Sequence, residues 1–260
     1  MDSIEVYADE ELAGLYDLVY AGYDDDLPLY EQFARRGELP SLEICVGSGR
    51  VALHLARQGL HVVGLDASLP MLARLEAALD PQTAPFIRLV EGDMRNFDLE
   101  GTKFDLVFCA FGSFEQLLTS DDQIACLRAV ARHVAKGGVF VAELRSLTAI
   151  EWDVEPVLLH EWTKADPRTG EQIMKLRSQA ASRARQVTVD TIAFDRLAAD
   201  GTVRRRLIEV AMRAIGRYEI AYVLERAGLR LRDLYGDADL SPYTDESDRM
   251  IIVAEAAEGA

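Results

Sequence analysis

Apolar and polar residues alternate in two different ways along the chain, and the first way governs residues 41–144. Short apolar runs bounded by turn residues predict five strands, at 41–46, 61–66, 86–90, 104–110 and 139–144. The segments between these runs carry apolar residues at helical spacing, and they predict helices at 50–58, 68–79 and 120–135. Such an alternation of strands and helices implies right-handed crossovers and a mostly parallel sheet.

Two of these helices have clear start signals. Ser68 is placed to cap the helix that carries Pro70 in its first turn, and Ser120 with Gln123 predicts a capping box for the helix that ends near Ala135. At the N-terminus, residues 9–23 and 27–37 predict a helical cap on the core.

After residue 156 the apolar period changes to two, the spacing that is typical of half-buried strands. Asp200-Gly201 is a strong hairpin-turn signal, and residues 168–170 offer another. We therefore expect three or four antiparallel strands at 156–213, inserted as a lid over the carboxyl ends of the main sheet. Residues 1–155 and 214–260 then form the core, with a further helix at 218–227 and a sixth strand at 229–235.

The most informative stretch is 41–66, where a strand, the turn Gly47-Ser48-Gly49, a helix ended by Gly59 and a second strand follow one another. This β-α-β unit is the kind that holds an adenosine-containing ligand, because the glycines let the backbone approach it. Asp66 ends the second strand 19 positions after Gly47, and its carboxylate can accept hydrogen bonds from both ribose hydroxyls.

Two classes of cofactor use this unit. Gly47-x-Gly49-x-x-Ala52 also fits a dinucleotide fingerprint, so an NAD-dependent reductase stays a distant alternative. Three features favour S-adenosylmethionine instead. Glu43 lies inside the first strand, Asp93-Met94 follows the third strand where an acid can take the adenine amino group, and the fourth strand opens into an aromatic loop.

With these motifs, residues 16–254 resemble the class I S-adenosylmethionine-dependent methyltransferases. The resemblance implies a Rossmann-like α/β fold with a seven-stranded sheet, in which 250–254 is an antiparallel seventh strand. Cys45 departs from the pattern, since many relatives have a first glycine there. The cofactor-binding residues that we expect are Tyr16, Glu43, Gly47, Gly49, Asp66, Asp93, Met94 and Cys109.

The acceptor side of the site is less defined. Residues 16–20 resemble the N-terminal tyrosine segment of relatives that methylate amino sugars and lincosamide-type antibiotics. We therefore expect Tyr7, Tyr16 and Phe114 to orient the acceptor, because aromatic faces attract a sulfonium or an ammonium. Core packing is an equally good explanation of Phe114. Further candidates follow strands four and five: Phe111, Ser113, Glu115, Glu143 and Arg145.

Composition excludes several functions. The 260 residues carry a net charge of −16, which would repel nucleic acid. The most basic stretch, 156–213, holds eleven Lys or Arg against seven acids, a balance of +4 that a solvated strand surface explains.

The four histidines show no metal-ligand spacing, so we expect no metal. No apolar stretch approaches the roughly 20 residues of a membrane helix, and the acidic start lacks an apolar run preceded by basic residues, so we expect neither a membrane helix nor a signal peptide.

These patterns lead to one interpretation with open alternatives. We expect a cytoplasmic methyltransferase with three reduced cysteines, acting on an amine of a small molecule in natural-product biosynthesis. An amine is favoured over an alcohol because the sequence offers neither a metal cluster nor a convincing histidine base. The alternatives are an O-methyltransferase and a catalytically silent binding protein with this fold. A homo-oligomer formed through the lid is a further expectation.

Overall fold

The computed structural model describes residues 9–166 and 169–257. Its α-helices are α1 (Glu10–Tyr20), α2 (Leu27–Ala34), α3 (Arg50–Arg57), α4 (Leu69–Ala78), α5 (Ser120–His133) and α6 (Arg217–Arg226). Its strands are β1 (Ser41–Ile44), β2 (Val62–Asp66), β3 (Ile87–Glu91), β4 (Phe104–Cys109), β5 (Val134–Arg145), β6 (Leu159–Ala165), β7 (Gln172–Ser182), β8 (Val187–Leu197), β9 (Val203–Arg213), β10 (Leu229–Tyr235) and β11 (Arg249–Ala256). Short 3-10 turns lie at Ala84–Phe86, Ser113–Gln116 and Leu147–Ala149.

The main sheet has seven strands in the order β10-β11-β5-β4-β1-β2-β3. The pairs formed among β1, β2, β3, β4 and β5 are parallel, and β11 runs antiparallel to both of its neighbours. The predicted α/β fold with an antiparallel seventh strand is therefore confirmed. Strand order reverses between β1 and β4, and a ligand of an open sheet binds beyond the carboxyl ends of the strands at such a point.

Helices cover both faces of this sheet, so its central strands are largely buried. All four residues of β1 are buried. On one face α5 and α6 bring Leu127, Val130 and Leu224 against the sheet, and on the other α2 and α3 bring Phe33 and Leu55. Burying one such large apolar side chain stabilises the fold by about 1.5–3 kcal/mol.

The start of α4 is as predicted and the start of α5 is not. The Ser68 hydroxyl accepts a hydrogen bond from the Met71 N–H at 3.2 Å. Thr119 caps α5 in place of Ser120, because Thr119 has the extended backbone that a cap needs and its hydroxyl accepts from the Asp122 N–H. Gln123 donates instead to the Leu117 carbonyl, so the predicted capping box is wrong.

The end of α5 also differs from the prediction. The helix stops at His133, and β5 begins at the next residue instead of at position 139. Val134 pairs with Phe104, and the register between β4 and β5 then shifts before Val139 pairs with Leu106. The glycines at 137 and 138 therefore lie within an irregular strand and do not end a helix.

The inserted strands form a separate four-stranded antiparallel sheet in the order β6-β7-β8-β9, here called the lid. The hairpin at Asp200-Gly201 is confirmed, with the Gly201 N–H donating to the Ala198 carbonyl. A second turn joins β6 to β7, where the Gly170 N–H donates to the Asp166 carbonyl at 2.8 Å. Arg168, which the sequence places in this turn, lies outside the described residues. The boundaries at 156 and 213 stay a prediction.

Helix α1 joins the lid to the core. Leu12 and Leu15 pack against Ile173 and Phe194 of the lid. On its other side, Asp17 accepts hydrogen bonds from Arg74 of α4. The same helix therefore contacts both walls of the space between the two sheets. No helix of the described ranges is long and apolar enough to cross a membrane.

Candidate active site

A cavity of about 750 Å³ lies beyond the carboxyl ends of β1, β2, β4 and β5 and beneath the lid. Its volume suits a cofactor together with a small acceptor, since small-molecule sites span roughly 300–1,000 Å³. Core loops form one half of its wall. Aromatic residues and charged side chains from α1, the strand ends and the lid form the other half.

The glycine turn shapes the first half. Gly47 and Gly49 adopt left-handed conformations, with φ of +57° and +87°. A Cβ on Gly49 would lie 2.2 Å from the nearest Leu75 methyl carbon, so only glycine lets α4 pack this closely. A Cβ on Gly47 would meet no atom within 4 Å, because this glycine borders the open space of the cavity.

Asp66, the last residue of β2, holds the turn from the neighbouring strand. One carboxylate oxygen accepts from the Gly47 N–H and the other from the Ser68 N–H, both at 2.8 Å. Burial raises the pKa of Asp66 above its usual value, and these hydrogen bonds partly offset that rise. Asp66 lines the cavity, as we expect of an acid that binds the ribose hydroxyls.

Asp93 and Met94 line the same half of the cavity, after the end of β3. Partial burial raises the pKa of Asp93, but hydrogen bonds from the Arg95 guanidinium and backbone outweigh it and bring the pKa below its usual value. Asp93 therefore stays an ionised acceptor that can receive the amino group of an adenine. The turn, the ribose acid and the adenine acid fit S-adenosylmethionine as a set.

Cys45 stands just before the turn and has a left-handed backbone with φ of +60°. A side chain in this conformation costs about 1–2 kcal/mol, which explains the glycine that many relatives have there. The Cys45 thiol lies 3.4 Å from the Met94 sulfur. Its hydrogen bond with Cys109 and its burial raise its pKa well above the usual value, so it stays a neutral thiol.

Three of the residues predicted to bind the cofactor do not line the main cavity. Glu43 and Gly49 do not line the main cavity but border a smaller space on the other side of the turn. Burial raises the pKa of Glu43 well above its usual value, and the Ala52 N–H bonds its carboxyl group. Cys109 is fully buried in the core and lines neither space.

The residues predicted to orient the acceptor do not all lie at the cavity. Tyr16 lines the cavity, with its ring 4.6 Å from that of Tyr20. Phe114 is fully buried in the core cluster, and the ring that lines the cavity is Phe111. The reason is local: Phe111 and Gly112 both adopt left-handed conformations, and this turn directs the next residues into the core. Tyr7 lies outside the described residues.

Phe111 organises an aromatic wall with the N-terminal cap. Its ring lies 4.7 Å from that of Tyr20 and 5.0 Å from that of Tyr23. The Arg50 guanidinium lies over both Tyr23 and Phe111 and forms a bidentate ion pair with the buried Asp26. This ion pair fixes the cap against the start of α3, directly after the glycine turn.

Charged residues of the lid face the cavity as ion pairs. Lys175 is buried and bonds Glu161 at 2.6 Å, and Arg177 bonds Asp190 at 2.8 Å. The expected solvated surface is therefore wrong for Lys175. The sequence contains only part of this signal: residues 175 and 177 lie two apart on one strand and therefore share a face.

Four polar atoms of the opposite wall make no hydrogen bond to a described residue, although Arg249 Nη1 lies 3.5 Å from an Asp237 carboxylate oxygen. They are buried without a hydrogen-bond partner in the part of the chain that the structure describes: Glu115 Oε1, Glu143 Oε2, Arg145 Nε and Arg249 Nη1. Burial raises the pKa of Glu115 to about 8 and that of Glu143 to about 7. No group of three described His, Cys, Asp or Glu side chains could hold a metal ion.

Comparisons with known proteins agree with this geometry. Residues 42–138 match the family described as "Methyltransferase domain". The chain is 30% identical over 222 residues to a cypemycin N-terminal methyltransferase of a Streptomyces species, covering 82% of each sequence. It is also 30% identical over 161 residues to the dTDP-3-amino-3,4,6-trideoxy-alpha-D-glucopyranose N,N-dimethyltransferase of Streptomyces venezuelae, covering 59% of this chain and 62% of that protein.

A solved structure extends the likeness to almost the whole chain. The CcbJ methyltransferase of Streptomyces caelestis superposes with a TM-score of 0.83 at 26% identity, covering 97% of this chain and 98% of the other. The match includes the lid, because it spans nearly all of both chains. The chain therefore belongs to the class I S-adenosylmethionine-dependent methyltransferases.

Proposed function

We propose that the protein transfers a methyl group from S-adenosylmethionine to an amine nitrogen of a small molecule in natural-product biosynthesis. The observation that carries this proposal is the cavity, which joins an adenosine-binding half to a half lined by aromatic rings and buried carboxyl groups. Two relatives that share 30% identity are N-methyltransferases, one acting at a peptide N-terminus and one on an amino sugar.

In this proposal Asp66 binds the ribose hydroxyls, and Asp93 with Met94 binds the adenine. Gly47 lets the backbone approach the ligand, while Glu43 and Gly49 hold the turn from behind. The bound cofactor supplies an electrophilic methyl group on a sulfonium. The protein also positions the acceptor and excludes water, and positioning alone can contribute about 7–11 kcal/mol.

Tyr16, Tyr20 and Phe111 supply the aromatic wall of the acceptor half. A cation over such a ring gains about 0.5–2 kcal/mol, so this wall favours an ammonium over a neutral alcohol. The net charge of −16 attracts cationic acceptors at long range as well. Arg145 Nε has no hydrogen-bond partner among the described residues, which supports an acceptor with oxygen atoms near its amine.

Product analysis tests this function. The purified protein is incubated with S-adenosylmethionine and a panel of amines and alcohols, including amino sugars and short peptides with a free N-terminus. We expect a mass increase of one or more methyl groups, which fragmentation assigns to nitrogen. A methyl on oxygen, in an acceptor that also offers an accessible amine, would favour an O-methyltransferase. No product from any acceptor, with the cofactor still bound, would favour a silent binding protein.

We also propose a cytoplasmic location and a homo-oligomer formed through the lid. Cys45, Cys109 and Cys126 are free thiols, as is usual in a reducing compartment. Leu159, Val203 and Leu207 of the edge strands β6 and β9 are large, apolar and more than half exposed, which supports contact with another copy. Light scattering after size-exclusion chromatography measures the oligomeric state, and a monomer at all concentrations would contradict the second proposal.

A further inference from the structure

The two buried carboxyl groups on the core side of the cavity are not used by the binding of the cofactor as proposed above. Glu143 lies near the end of β5, and Glu115 lies in the 3-10 turn that follows β4. Each has one oxygen without a hydrogen-bond partner among the described residues. Buried polar atoms are paired in the great majority of cases, so a ligand that enters this cavity is the expected partner.

The surroundings of Glu143 leave it without a close cation. Arg249 approaches its other oxygen only to 3.7 Å, and Arg50 is occupied by its bidentate pair with Asp26. The Phe111 N–H bonds the carboxyl group. The other titratable groups that influence it or are influenced by it are Asp26, Tyr23, Tyr30 and Glu115. Acids and phenols therefore outnumber the cations around this carboxyl.

Glu115 is held more tightly than Glu143. It is 1% exposed, against 8% for Glu143. The Arg145 N–H bonds its carboxyl group, and a Cβ on Gly112 would lie 2.9 Å from its Oε2. The Arg145 side chain itself reaches away to Thr188 of the lid at 2.6 Å. Glu115 therefore has less freedom than Glu143, although both residues line the cavity.

We propose that Glu143 accepts the proton that the acceptor's ammonium must lose before methylation, while Glu115 holds the same ammonium by a hydrogen bond. This inference rests on the proposed function. An alkyl ammonium has no free lone pair, so the N–H bond must break before nitrogen can act as a nucleophile. The proton moves to Glu143 Oε2, the electron pair of that bond stays on nitrogen, and the products are a neutral amine and a neutral carboxylic acid.

The titration of the two groups supports this division of roles. A proton acceptor works best when its pKa lies near the working pH, and burial brings the pKa of Glu143 to about 7. Burial brings the pKa of Glu115 to about 8, so at pH 7 it is mostly a neutral acid. Each carboxylate disfavours the charge of the other, so an arriving cation stabilises the ionised form of the pair.

The test uses two cofactor analogues and needs no identified acceptor. Sinefungin carries an amine on carbon in place of the methylated sulfonium, so it brings an ammonium to the position of the transferred methyl. S-adenosylhomocysteine lacks this cation and serves as the control ligand. Isothermal titration calorimetry measures both affinities at pH 6 and pH 8, and repeats at pH 7 in two buffers of different ionisation enthalpy measure the protons released.

For the wild-type protein we expect the preference for sinefungin over S-adenosylhomocysteine to rise about tenfold from pH 6 to pH 8, since a hydrogen bond to a charged group is worth at least this much. Sinefungin should release protons at pH 7, because the cation drives ionisation of Glu143. Glu143→Gln should remove both the pH dependence and the proton release. Glu225→Gln, the same change at an exposed residue of α6, should keep both.

The outcomes separate this inference from the proposed function. Equal preference at both pH values, with no proton release by the wild-type protein, would overturn the inference while S-adenosylhomocysteine binding stands. Loss of binding by both analogues would overturn the proposed function and the inference with it. The wild-type proton release does not depend on whether Glu143→Gln folds, and circular dichroism checks the variant.

Discussion

The two halves of the cavity are built in opposite ways. The adenosine half consists of a tight turn and two acids that lie within about fifty residues of one another in the sequence, and backbone hydrogen bonds hold it. The acceptor half consists of long side chains from β5, β11, α1 and all four lid strands, held by ion pairs. The first half is fixed by local geometry, so it tolerates few residue types. The second half depends on the lid, which follows the core strands β1 to β5 in the sequence.

The turn of the adenosine half should be the most sensitive point. Gly49→Ala combines a left-handed backbone, costing about 1–2 kcal/mol, with overpacking against Leu75, costing about 1–3 kcal/mol. We expect the free energy of unfolding to fall by roughly 2–5 kcal/mol in urea titrations. Gly59→Ala is the matched control, since Gly59 has φ of +76° but no atom within 4 Å of an added Cβ. Equal losses in both variants would refute a special role for the contact with Leu75.

The buried carboxyl of the acceptor half should make stability depend on pH. The pKa of Glu143 is about 7 in the folded protein against 4.5 as the reference for the unfolded chain. A raised carboxyl pKa stabilises the fold below about pH 4.5, and this stabilisation is lost as pH rises through 7. Relative to wild type, Glu143→Gln should therefore gain about 2–3 kcal/mol in its free energy of unfolding between pH 5 and pH 8.

Urea titrations at the two pH values measure this difference. Glu225→Gln, an exposed residue, should follow wild type at both. A Glu143→Gln curve parallel to that of wild type would mean that Glu143 is ionised at every pH tested.

Replacing Asp66, the predicted ribose acid, should lower the affinity for the ligand more than it lowers the stability of the fold. Asp66→Ala removes hydrogen bonds to a charged group, so we expect a loss of about 1.5–3 kcal/mol in affinity for S-adenosylhomocysteine by calorimetry. NAD should not bind measurably to either form. Glu91→Ala, a change at an exposed acid one strand away, provides the control. Wild-type affinity in Asp66→Ala would show that the acid is misassigned.

A change in the lid should affect the acceptor half of the cavity and leave the adenosine half almost unchanged. Lys175→Met leaves Glu161 without its close partner on the cavity side, so we expect kcat/KM for the acceptor to fall about tenfold. Affinity for S-adenosylhomocysteine should change less than about twofold, because Lys175 and Glu161 lie on the lid side of the cavity, whereas core loops form the adenosine half. Arg205→Met breaks a pair with Asp195 whose arginine is half exposed, and it should change neither quantity. Equal effects of the two variants would mean that the cavity face of the lid is not part of the site.

The same contrast explains what could be predicted from the sequence. The β-α-β unit and Asp66 follow from local patterns, because turn, helix and strand are specified by neighbouring residues. Phe111 and Phe114 could not be told apart, since the choice depends on two successive left-handed residues at 111 and 112. The predicted capping box failed by one residue for a similar reason, because Thr119 rather than Ser120 has the extended backbone.

The lid residues needed information that no local pattern contains. The alternation in β7 puts Lys175 and Arg177 on one face, but which face covers the cavity depends on the packing of α1 against Ile173 and Phe194. Arg249 enters the site from β11, more than a hundred residues after Glu143, through the pairing of β11 with β5. Such contacts depend on the tertiary fold.

Cys45 has a consequence for the enzyme's own chemical integrity. Its sulfur lies in the wall of the site that binds a reactive methyl donor, and a thiolate is a stronger nucleophile than an amine. An ionised Cys45 would compete with the acceptor for the methyl group of the cofactor. Methylation of its sulfur would block the turn permanently. Its hydrogen bond with Cys109 and its burial keep the pKa high, so the sulfur stays protonated and unreactive. The hydrogen bond with Cys109, which does not line the cavity, is therefore one of the contacts that keep the Cys45 thiol neutral.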